Sequence, residues 1–308
     1  MILISEDVWG APFEELSKRR PIHQDSNLWD DRNKLIEQLK DAEALVIRNR
    51  TKVTADLIAA APKLKVIARA GVGLDNIDIA AADTAGVIVV AGLGANAVSV
   101  AELTLGLALA LSRNIPNHDQ ATKAGSWIRT PGSEISGKTW GLLGCGATGR
   151  ATANLLKGFG SKVIGYDPFF QGNKEIEMAS WDQVVSQSDV ISLHMPATNE
   201  TIGSINKAFF AKMKPSAFLI NVGRGDLVNE ADLIAALKAK TFAGAALDVR
   251  VTEPPTTGEL ESLQNVILTP HVAGITSESQ LAINKILVDN IDLVLDGKKA
   301  THAVGKMS

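Results

Sequence analysis

Short apolar runs alternate with helical segments along nearly the whole chain. Most of the runs are apolar at consecutive positions, which is typical of parallel strands covered on both faces. The predicted strands are 2–4, 44–47, 66–70, 87–90, 139–143, 163–166, 190–193, 218–221, 243–248 and 266–268. Helical spacing fills the gaps, for example at 151–158 and 230–239. This alternation predicts an α/β fold with doubly wound parallel sheets.

Segment 97–114, "AVSVAELTLGLALALSRN", is apolar almost all round, which predicts a helix buried on every side. Such helices often lie between domains or subunits. The strand–helix pattern restarts at Lys138, and a last helix near 277–295 follows the final strand and can return to the first domain. At roughly 150 residues per domain, a chain of this length has two. We predict one domain from residues 1–96 and 277–308 and the other from residues 97–276.

The stretch "GLLGCGATGR" (141–150) carries a G-x-G-x-x-G spacing between a predicted strand and a predicted helix. In dinucleotide-binding βαβ units, the first glycine permits a tight turn and the second lets the backbone approach the pyrophosphate. The third glycine lets the helix pack closely on the strand. Gly144, Gly146 and Gly149 hold these positions. A turn without a ligand is the alternative, but the flanking strand and helix favour a cofactor site.

Asp167 ends the next strand, 167 − 149 = 18 residues after the last glycine. An acidic residue here accepts hydrogen bonds from the adenosine ribose, and its charge repels the 2′-phosphate of NADP. No arginine lies in "PFFQGNK" (168–174) to offset that repulsion. The loop therefore predicts NAD as the cofactor.

Three polar residues follow strands of the second predicted domain: Arg224, Glu253 and His271. Hydride transfer from an alcohol needs a proton acceptor, and histidine has a suitable unperturbed pKa of ~6.5. A carboxylate on its other nitrogen fixes the tautomer, and an arginine holds a substrate carboxylate through two parallel hydrogen bonds. Each of the three also has a purely structural interpretation. Arg224 could belong to a loop salt bridge, Glu253 could be a carboxylate at the start of a helix, and His271 could be a capped histidine.

The chain resembles the NAD-dependent D-isomer-specific 2-hydroxyacid dehydrogenases over nearly its whole length. The similarity lies in the order and spacing of "RAGVGLDNID" (69–78), "NAVSVAELTLGLALALSRNI" (96–115), "GKTWGLLGCGATGR" (137–150), "SLHMPAT" (192–198), "INVGRGDLV" (220–228), "AALDV" with "EP" (245–254) and "TPHVAG" (269–274). The resemblance implies a Rossmann-type cofactor domain inserted in a flavodoxin-like substrate domain. It also implies an active site in the cleft between them and a homodimer formed through helix 97–114.

The resemblance also implies roles for individual residues. Arg224 would clamp the substrate carboxylate, Glu253 would partner the histidine, and His271 would act as acid and base. Backbone N–H groups of Gly71, Val72 and Gly73 would help to bind the carboxylate, with Asn96 and Asp248 in support. Further cofactor contacts are implied at Ala147, Thr148, His194, Pro196, Thr201, Val222, Gly223, Asp248 and Gly274. The family often has Arg-Ile in place of Ala147-Thr148 and an aromatic residue in place of Arg250, which has no assigned role.

Arginines end two strands of the first predicted domain: Arg48 or Arg50 after the second strand, and Arg69 after the third. Arg129 follows the apolar helix. Matched to the family, Arg48, Arg69 and Arg129 fall where 3-phosphoglycerate dehydrogenases bind their phosphate. Guanidinium groups suit tetrahedral oxyanions. We therefore expect a 2-hydroxy acid with a second anionic group, resembling 3-phosphoglycerate or sulfolactate; surface ion pairs are the alternative.

Two other functions remain open. One is a glyoxylate/hydroxypyruvate reductase, and the other is a non-enzymatic NAD(H)-sensing protein that resembles the transcriptional corepressors of this fold. Formate dehydrogenases pair the histidine with glutamine, so Glu253 argues against them.

Composition adds exclusions. The chain has a net charge of −3 and no strongly basic stretch, so we expect neither nucleic-acid nor anionic-membrane binding. The longest apolar run, 103–111, is too short to cross a bilayer, which needs ~20 residues. Cys145 is the single cysteine, which fits a reducing compartment and predicts a cytoplasmic protein without a metal site.

Overall fold

A computed structural model describes residues 1–306. The chain divides into two compact units. The first combines residues 1–96 with the residues from 275 onward, and the second comprises residues 97–274. Each unit is built around one sheet with its own hydrophobic core.

Thirteen strands form the two sheets within the described residues. They are β1 (Ile2–Ile4), β2 (Ile22–Gln24), β3 (Ala44–Ile47), β4 (Val66–Arg69), β5 (Ile88–Ala91), β6 (Thr139–Leu143), β7 (Lys162–Tyr166), β8 (Glu177–Met178), β9 (Val190–Leu193), β10 (Phe218–Asn221), β11 (Gly244–Leu247), β12 (Val266–Leu268) and β13 (Ala303–Val304). The first sheet has the order β13-β5-β4-β3-β1-β2, and the second has the order β12-β11-β10-β9-β6-β7-β8. All neighbouring strands are parallel except β13 and β5.

Eleven α-helices connect the strands of residues 1–306. They are α1 (Ala11–Ser17), α2 (Arg32–Leu39), α3 (Ala55–Ala59), α4 (Ile79–Ala85), α5 (Ala97–Ser112), α6 (Ile115–Lys123), α7 (Ala147–Leu156), α8 (Trp181–Gln187), α9 (Lys207–Phe210), α10 (Glu230–Lys238) and α11 (Ser277–Leu295). Local sequence sets several ends: α8 begins with a capping box of Ser180 and Gln183, and α4 ends at Gly86 in the left-handed region.

The predicted fold class is confirmed. The second sheet has the strand order of a Rossmann domain, and the first has the flavodoxin-like order with one antiparallel edge strand. Every predicted strand is present, and consecutive apolar positions such as those of β9 and β11 are buried throughout. The predictions missed β2, β8 and β13, which are edge strands of two or three residues.

Helix α5 differs from the expectation that it is buried on every side. Its inner face packs in the second unit, where Thr104 and Ala108 are fully buried. Its outer face is open: Val98 is 60% exposed, and Glu102 and Gly106 are also exposed. The apolar sequence therefore overstates the burial of this helix within one chain.

Each helix of residues 1–306 lacks either the length or the apolar character that a membrane span requires. The helices α5 and α6 meet both criteria only when taken together, and they are bent by 62° relative to each other.

Candidate active site

The glycine loop joins β6 to α7 through very close backbone contacts. Gly144 has φ +95°, and a Cβ there would lie 2.7 Å from the carbonyl carbon of His194. A Cβ on Gly149 would lie 2.3 Å from the carbonyl oxygen of Gly144. Side chains at these two positions are therefore excluded by backbone atoms, which explains the first and third glycines of the motif.

The second glycine lies at an open helix end. Gly146 is the N-cap of α7, has no side-chain cap, and would bring a Cβ within 4 Å of no other atom. Gly146 and Ala147 are exposed. The first N–H groups of a helix lack intrahelical acceptors and carry partial positive charge, so this end fits the pyrophosphate of a dinucleotide.

Asp167 lies directly beside this loop. One of its carboxylate oxygens accepts a hydrogen bond from the backbone N–H of Cys145 (2.7 Å), and the other accepts one from Phe169 (2.8 Å). Each oxygen has a second lone pair, so the carboxylate retains capacity for ribose hydroxyls. Burial raises the pKa of the Cys145 thiol to about 12, with a further contribution from the charge of Asp167, so this cysteine stays a neutral packing residue.

His194, after β9, has one ring nitrogen without a partner among residues 1–306. Trp140 Nε1 donates to Ser192 Oγ (2.8 Å), and this hydroxyl lies 2.9 Å from His194 Nε2. Burial lowers the pKa of His194 to about 3, so its ring is neutral. When Ser192 donates to Nε2, the ring proton lies on Nδ1, which is buried and unpaired within residues 1–306. An acceptor from a bound cofactor would satisfy it, and the residues of this loop therefore fit a dinucleotide.

Glu253 and His271 form a hydrogen-bonded pair in the same unit. His271 Nδ1 lies 2.7 Å from Glu253 Oε2. The side chains are 50% and 37% exposed, so the pair is open to solvent. A carboxylate acceptor keeps the proton on Nδ1 and leaves Nε2 as the proton-accepting nitrogen. This is the arrangement that the residue types allowed but did not require.

The backbone of His271 adopts an unusual conformation with φ +56°. Its N–H donates to the carbonyl oxygen of Asp248 (2.8 Å). The buried Asp248 carboxylate accepts hydrogen bonds from Thr269 Oγ1 (2.6 Å) and from the N–H groups of Val272 and Ala273 (both 2.9 Å). Left-handed backbone at a non-glycine residue persists only where neighbours fix it. Asp248 therefore holds the histidine loop, and its oxygens are already bonded within the chain.

Arg224 lies in the turn after β10, which Asn221 organises. The Asn221 amide donates to the carbonyl oxygen of Arg224 (2.9 Å) and accepts from the N–H of Gly223 (3.0 Å). The Arg224 guanidinium donates to the carbonyl oxygen of Gly223 (2.9 Å). Asn221 was missed from sequence, although a buried asparagine at a strand end was the available signal.

The remaining predicted cofactor residues also follow strands of the second sheet. Thr201 Oγ1 donates to the carbonyl oxygen of Pro196 (2.8 Å) and so closes the turn after β9. Val222 and Gly223 follow β10, and Gly274 follows β12. Thr148 lies in the first turn of α7. No group of acidic, histidine or cysteine side chains suited to a metal ion occurs among residues 1–306.

The predicted substrate residues are split between the units. Arg48 and Arg69 belong to the first unit, at the ends of β3 and β4. The Arg69 guanidinium folds over Gly71, where a Cβ would lie 1.4 Å from Nη1. The structure therefore brings Arg69 together with the loop of Gly71, Val72 and Gly73. Asn96 also belongs to this unit, with a buried side-chain oxygen lacking a partner in residues 1–306, whereas Arg129 is exposed in the second unit.

The fold and the glycine loop define a dinucleotide-binding α/β protein, and comparison with known proteins gives its family. The NAD-binding domain of the D-isomer specific 2-hydroxyacid dehydrogenases matches residues 105–273. D-3-phosphoglycerate dehydrogenase of Archaeoglobus fulgidus is 42% identical over 280 residues, covering 89% of this chain and 53% of that protein. The chain belongs to the D-isomer specific 2-hydroxyacid dehydrogenase family. It spans about half the length of the curated relatives it matches.

Two solved structures resemble the whole chain. An acyclic imino acid reductase in complex with NADPH and D-Arg has a TM-score of 0.91 at 25% identity, covering 99% of this chain and 100% of that one. A glyoxylate reductase from Paecilomyes thermophila has a TM-score of 0.89 at 28% identity, covering 100% of this chain and 98% of that one. The second unit is therefore a nicotinamide dinucleotide-binding domain, as predicted.

Proposed function

We propose that the protein is an NAD-dependent oxidoreductase that interconverts a D-2-hydroxy acid and its 2-oxo acid. One observation carries this proposal: the 2.7 Å pair of Glu253 and His271 lies in the same unit as the open glycine loop. A neutral imidazole with a fixed tautomer is suited to accept a hydroxyl proton and to return it. Family membership supports the same reaction class.

Each polar residue has a defined task in this proposal. NAD, when bound, accepts or supplies the hydride. His271 takes the proton from the 2-hydroxyl through Nε2, and Glu253 stabilises the resulting imidazolium. Arg224 binds the substrate carboxylate as a planar cation. The N–H groups of Val72 and Gly73 also bind that carboxylate, whereas the N–H of Gly71 donates to the carbonyl oxygen of Arg69 (2.8 Å).

A second anionic group on the substrate is supported by the arginines and by the named relative. Arg48 follows β3, Arg69 ends the adjacent strand β4, and the Arg69 guanidinium lies over Gly71 of the proposed carboxylate-binding loop. The 42% identical relative acts, by its name, on D-3-phosphoglycerate. We therefore propose a phosphorylated or sulfonated 2-hydroxy acid, with Arg129 as a further contact.

Cofactor choice follows from Asp167. Its carboxylate faces the glycine loop, as the 2.7 Å contact with Cys145 indicates, and its charge disfavours a 2′-phosphate. We propose NAD over NADP for this reason, although the imino acid reductase was solved with NADPH.

Assembly as a homodimer through α5 is supported by its open face, where Val98 is 60% exposed. Trp127 and Ile128, just after α6, are 81% and 63% exposed, which is unusual for large apolar side chains. A monomer in sedimentation velocity at assay concentrations would contradict this assembly. A cytoplasmic location stays a prediction.

The decisive experiment is NADH oxidation with a panel of 2-oxo acids: phosphohydroxypyruvate, sulfopyruvate, pyruvate, glyoxylate and hydroxypyruvate. We expect the highest kcat/KM for one of the two anionic-tail compounds. His271→Ala should lower kcat by about 10²–10⁴-fold, the usual effect of removing a general base, with little change in NADH affinity. The same assays with NADPH should give far lower activity.

The outcomes separate the alternatives. Preference for glyoxylate or hydroxypyruvate would favour a reductase of small oxo acids, as the glyoxylate reductase neighbour suggests. Tight NADH binding without turnover of any compound would favour the NAD(H)-sensing binding protein. Full activity of the His271→Ala variant would remove His271 from the mechanism.

A further inference from the structure

Arg250 is a largely buried cation of the second unit, next to the Glu253–His271 pair. It follows β11, and its side chain is only 11% exposed. Nε and Nη2 donate to the two oxygens of Glu230 (2.8 and 3.0 Å), and Nη1 donates to Glu261 Oε1 (2.7 Å). Glu230 begins α10, and Glu261 lies in the short helical turn Leu260–Ser262. One guanidinium thus joins three separate segments.

The Arg250 side chain and the backbone next to it share the Glu230 carboxylate. The Arg250 N–H donates to Glu253 Oε1 (3.0 Å), while Glu253 Oε2 bonds to His271 Nδ1 (2.7 Å). The next N–H, from Val251, donates to Glu230 Oε1 (3.3 Å). The Glu253 carboxylate is therefore held at one oxygen by the Arg250 backbone and at the other by the histidine.

The turn that carries Arg224 packs against the backbone of Arg250. The neighbouring Gly225 would place a Cβ 2.0 Å from both the carbonyl carbon and the carbonyl oxygen of Arg250. A shift of the Arg250 backbone toward Gly225 would therefore displace the turn that carries Arg224. The segments of Arg224 and Glu253 both rest on the main chain of Arg250.

The cation does not compete with His271 for Glu253. Its guanidinium is directed to Glu230 and Glu261, and only its backbone N–H reaches Glu253. The hydrogen bonds to Glu230 raise the pKa of Arg250; burial opposes them, and the hydrogen bond to Glu261 adds to the rise, so the guanidinium stays charged. Removing it would leave two neighbouring carboxylates without their shared counter-ion.

We propose that Arg250 is a positioning residue of the acid–base pair: it holds the Glu253 carboxylate on His271 Nδ1 and thereby sets the proton-accepting tautomer. This inference rests on the proposed function for its catalytic consequence only. The bidentate fork to Glu230 is the essential element, because a lysine retains the charge but cannot make two parallel hydrogen bonds.

The test is ¹⁵N NMR of the His271 ring, assigned with His271→Ala, in the full chain. In the unmodified protein we expect the proton on Nδ1. Arg250→Ala should increase the Nε2–H tautomer, and Arg250→Lys should lie between the two. Lys238→Ala is the matched control, because it removes the neighbouring 2.8 Å pair with Glu259 without touching Glu253. It should leave the spectrum unchanged.

Turnover gives the second readout. Arg250→Ala should lower kcat about 10–100-fold, as the loss of supporting residues usually does, with NADH Kd changed less than twofold. In a Glu253→Gln background it should have little further effect, since it acts through Glu253. An unchanged tautomer in both Arg250 variants, or fully additive losses, would overturn the inference. Absence of turnover in the unmodified protein would instead overturn the proposed function, and the tautomer would still decide the role of Arg250.

Discussion

The two sheets differ in what the backbone N–H groups contact at the point where the strand order reverses. In the first unit the reversal lies between β1 and β3. There the buried Glu6 carboxylate accepts backbone N–H bonds from Arg48 (2.8 Å), Asn49 (3.1 Å), Arg50 (3.0 Å) and Thr51 (2.9 Å). In the second unit the reversal lies between β6 and β9, and α7 begins there without a side-chain cap.

Strand-order reversals in open α/β sheets are the usual places for ligands. In both units, backbone N–H groups come together at such a place. In the first unit, the Glu6 carboxylate accepts their hydrogen bonds. In the second, the start of α7 has no side-chain cap, and the proposed cofactor would place its pyrophosphate there. The two positions therefore differ in how many N–H groups an internal carboxylate takes: Glu6 accepts four in the first unit, whereas Asp167 accepts only that of Cys145 in the glycine loop and leaves the start of α7 uncapped.

Placing a carboxylate at the uncapped start of α7 should fill that position, and this is the larger of the effects expected from changing the two strand-reversal positions. Ala147→Asp puts an anion at the start of α7, where it suits the helix dipole and should leave the stability equal or slightly higher. It should weaken NADH binding by about 10–100-fold, because it repels the pyrophosphate. Fluorescence titration of NADH measures the affinity.

Ala147→Asn is the matched control, since it has the same size without the charge. It should lose much less affinity than the aspartate variant. Equal losses in both variants would mean that bulk, and not charge, controls this position. Unchanged binding in both would place the pyrophosphate elsewhere.

Much of this architecture is accessible from sequence because it depends on local patterns. Consecutive apolar residues predicted β9 and β11, which are buried throughout. The edge strand β2, "IHQ", has no apolar run and was missed. Motif spacing and strand ends pointed to the glycine loop, Asp167, Arg224, Glu253 and His271, and the resemblance to a family supplied the other site residues; the roles of all of them stay predictions.

The features that were missed from sequence depend on contacts between distant residues. Glu6 and the N–H of Arg48 are 42 residues apart, and neither segment alone signals the pairing. Trp140 and Ser192, whose hydroxyl also lies 2.9 Å from His194 Nε2, are 52 residues apart. Arg250 was noticed only as a departure from the family, because its partners Glu230 and Glu261 lie 20 and 11 residues away.

Removing the negative charge of Glu6 should destabilise the first unit. Glu6→Gln removes the charge that four N–H groups share and should lower the free energy of unfolding by about 2–3 kcal/mol at pH 7. Urea denaturation measures it. Asp7→Asn, at the exposed neighbouring carboxylate, is the control and should change stability by less than about 0.5 kcal/mol.

This loss should depend on pH. Burial raises the pKa of Glu6, but the backbone N–H groups of Thr51, Arg50 and Arg48 outweigh burial and hold that pKa below its ordinary value. A carboxyl with a depressed folded-state pKa stabilises the fold above its unfolded pKa, about 4.3. The contribution is lost as the pH falls through the folded-state value. The difference between the two proteins should therefore be constant from pH 8 to 6 and shrink below about pH 4; a constant difference down to pH 3 would contradict the assignment.

Replacing arginine side chains of loop 48–51, whose N–H groups bond to Glu6, should give the smallest and most selective effect. Because Glu6 occupies the N–H groups of residues 48–51, the cations that this loop can offer a ligand are the side chains of Arg48 and Arg50. Arg50 lies over the ring of Trp29, 4.6 Å from its centroid, whereas Arg48 has no side-chain hydrogen bond or ion pair within residues 1–306. Arg50→Ala should therefore cost about 0.5–1 kcal/mol of stability and leave KM unchanged. Arg48→Ala should leave stability unchanged and raise KM for phosphohydroxypyruvate more than for glyoxylate. The reverse result would make Arg50 the ligand-facing residue and Arg48 the structural one.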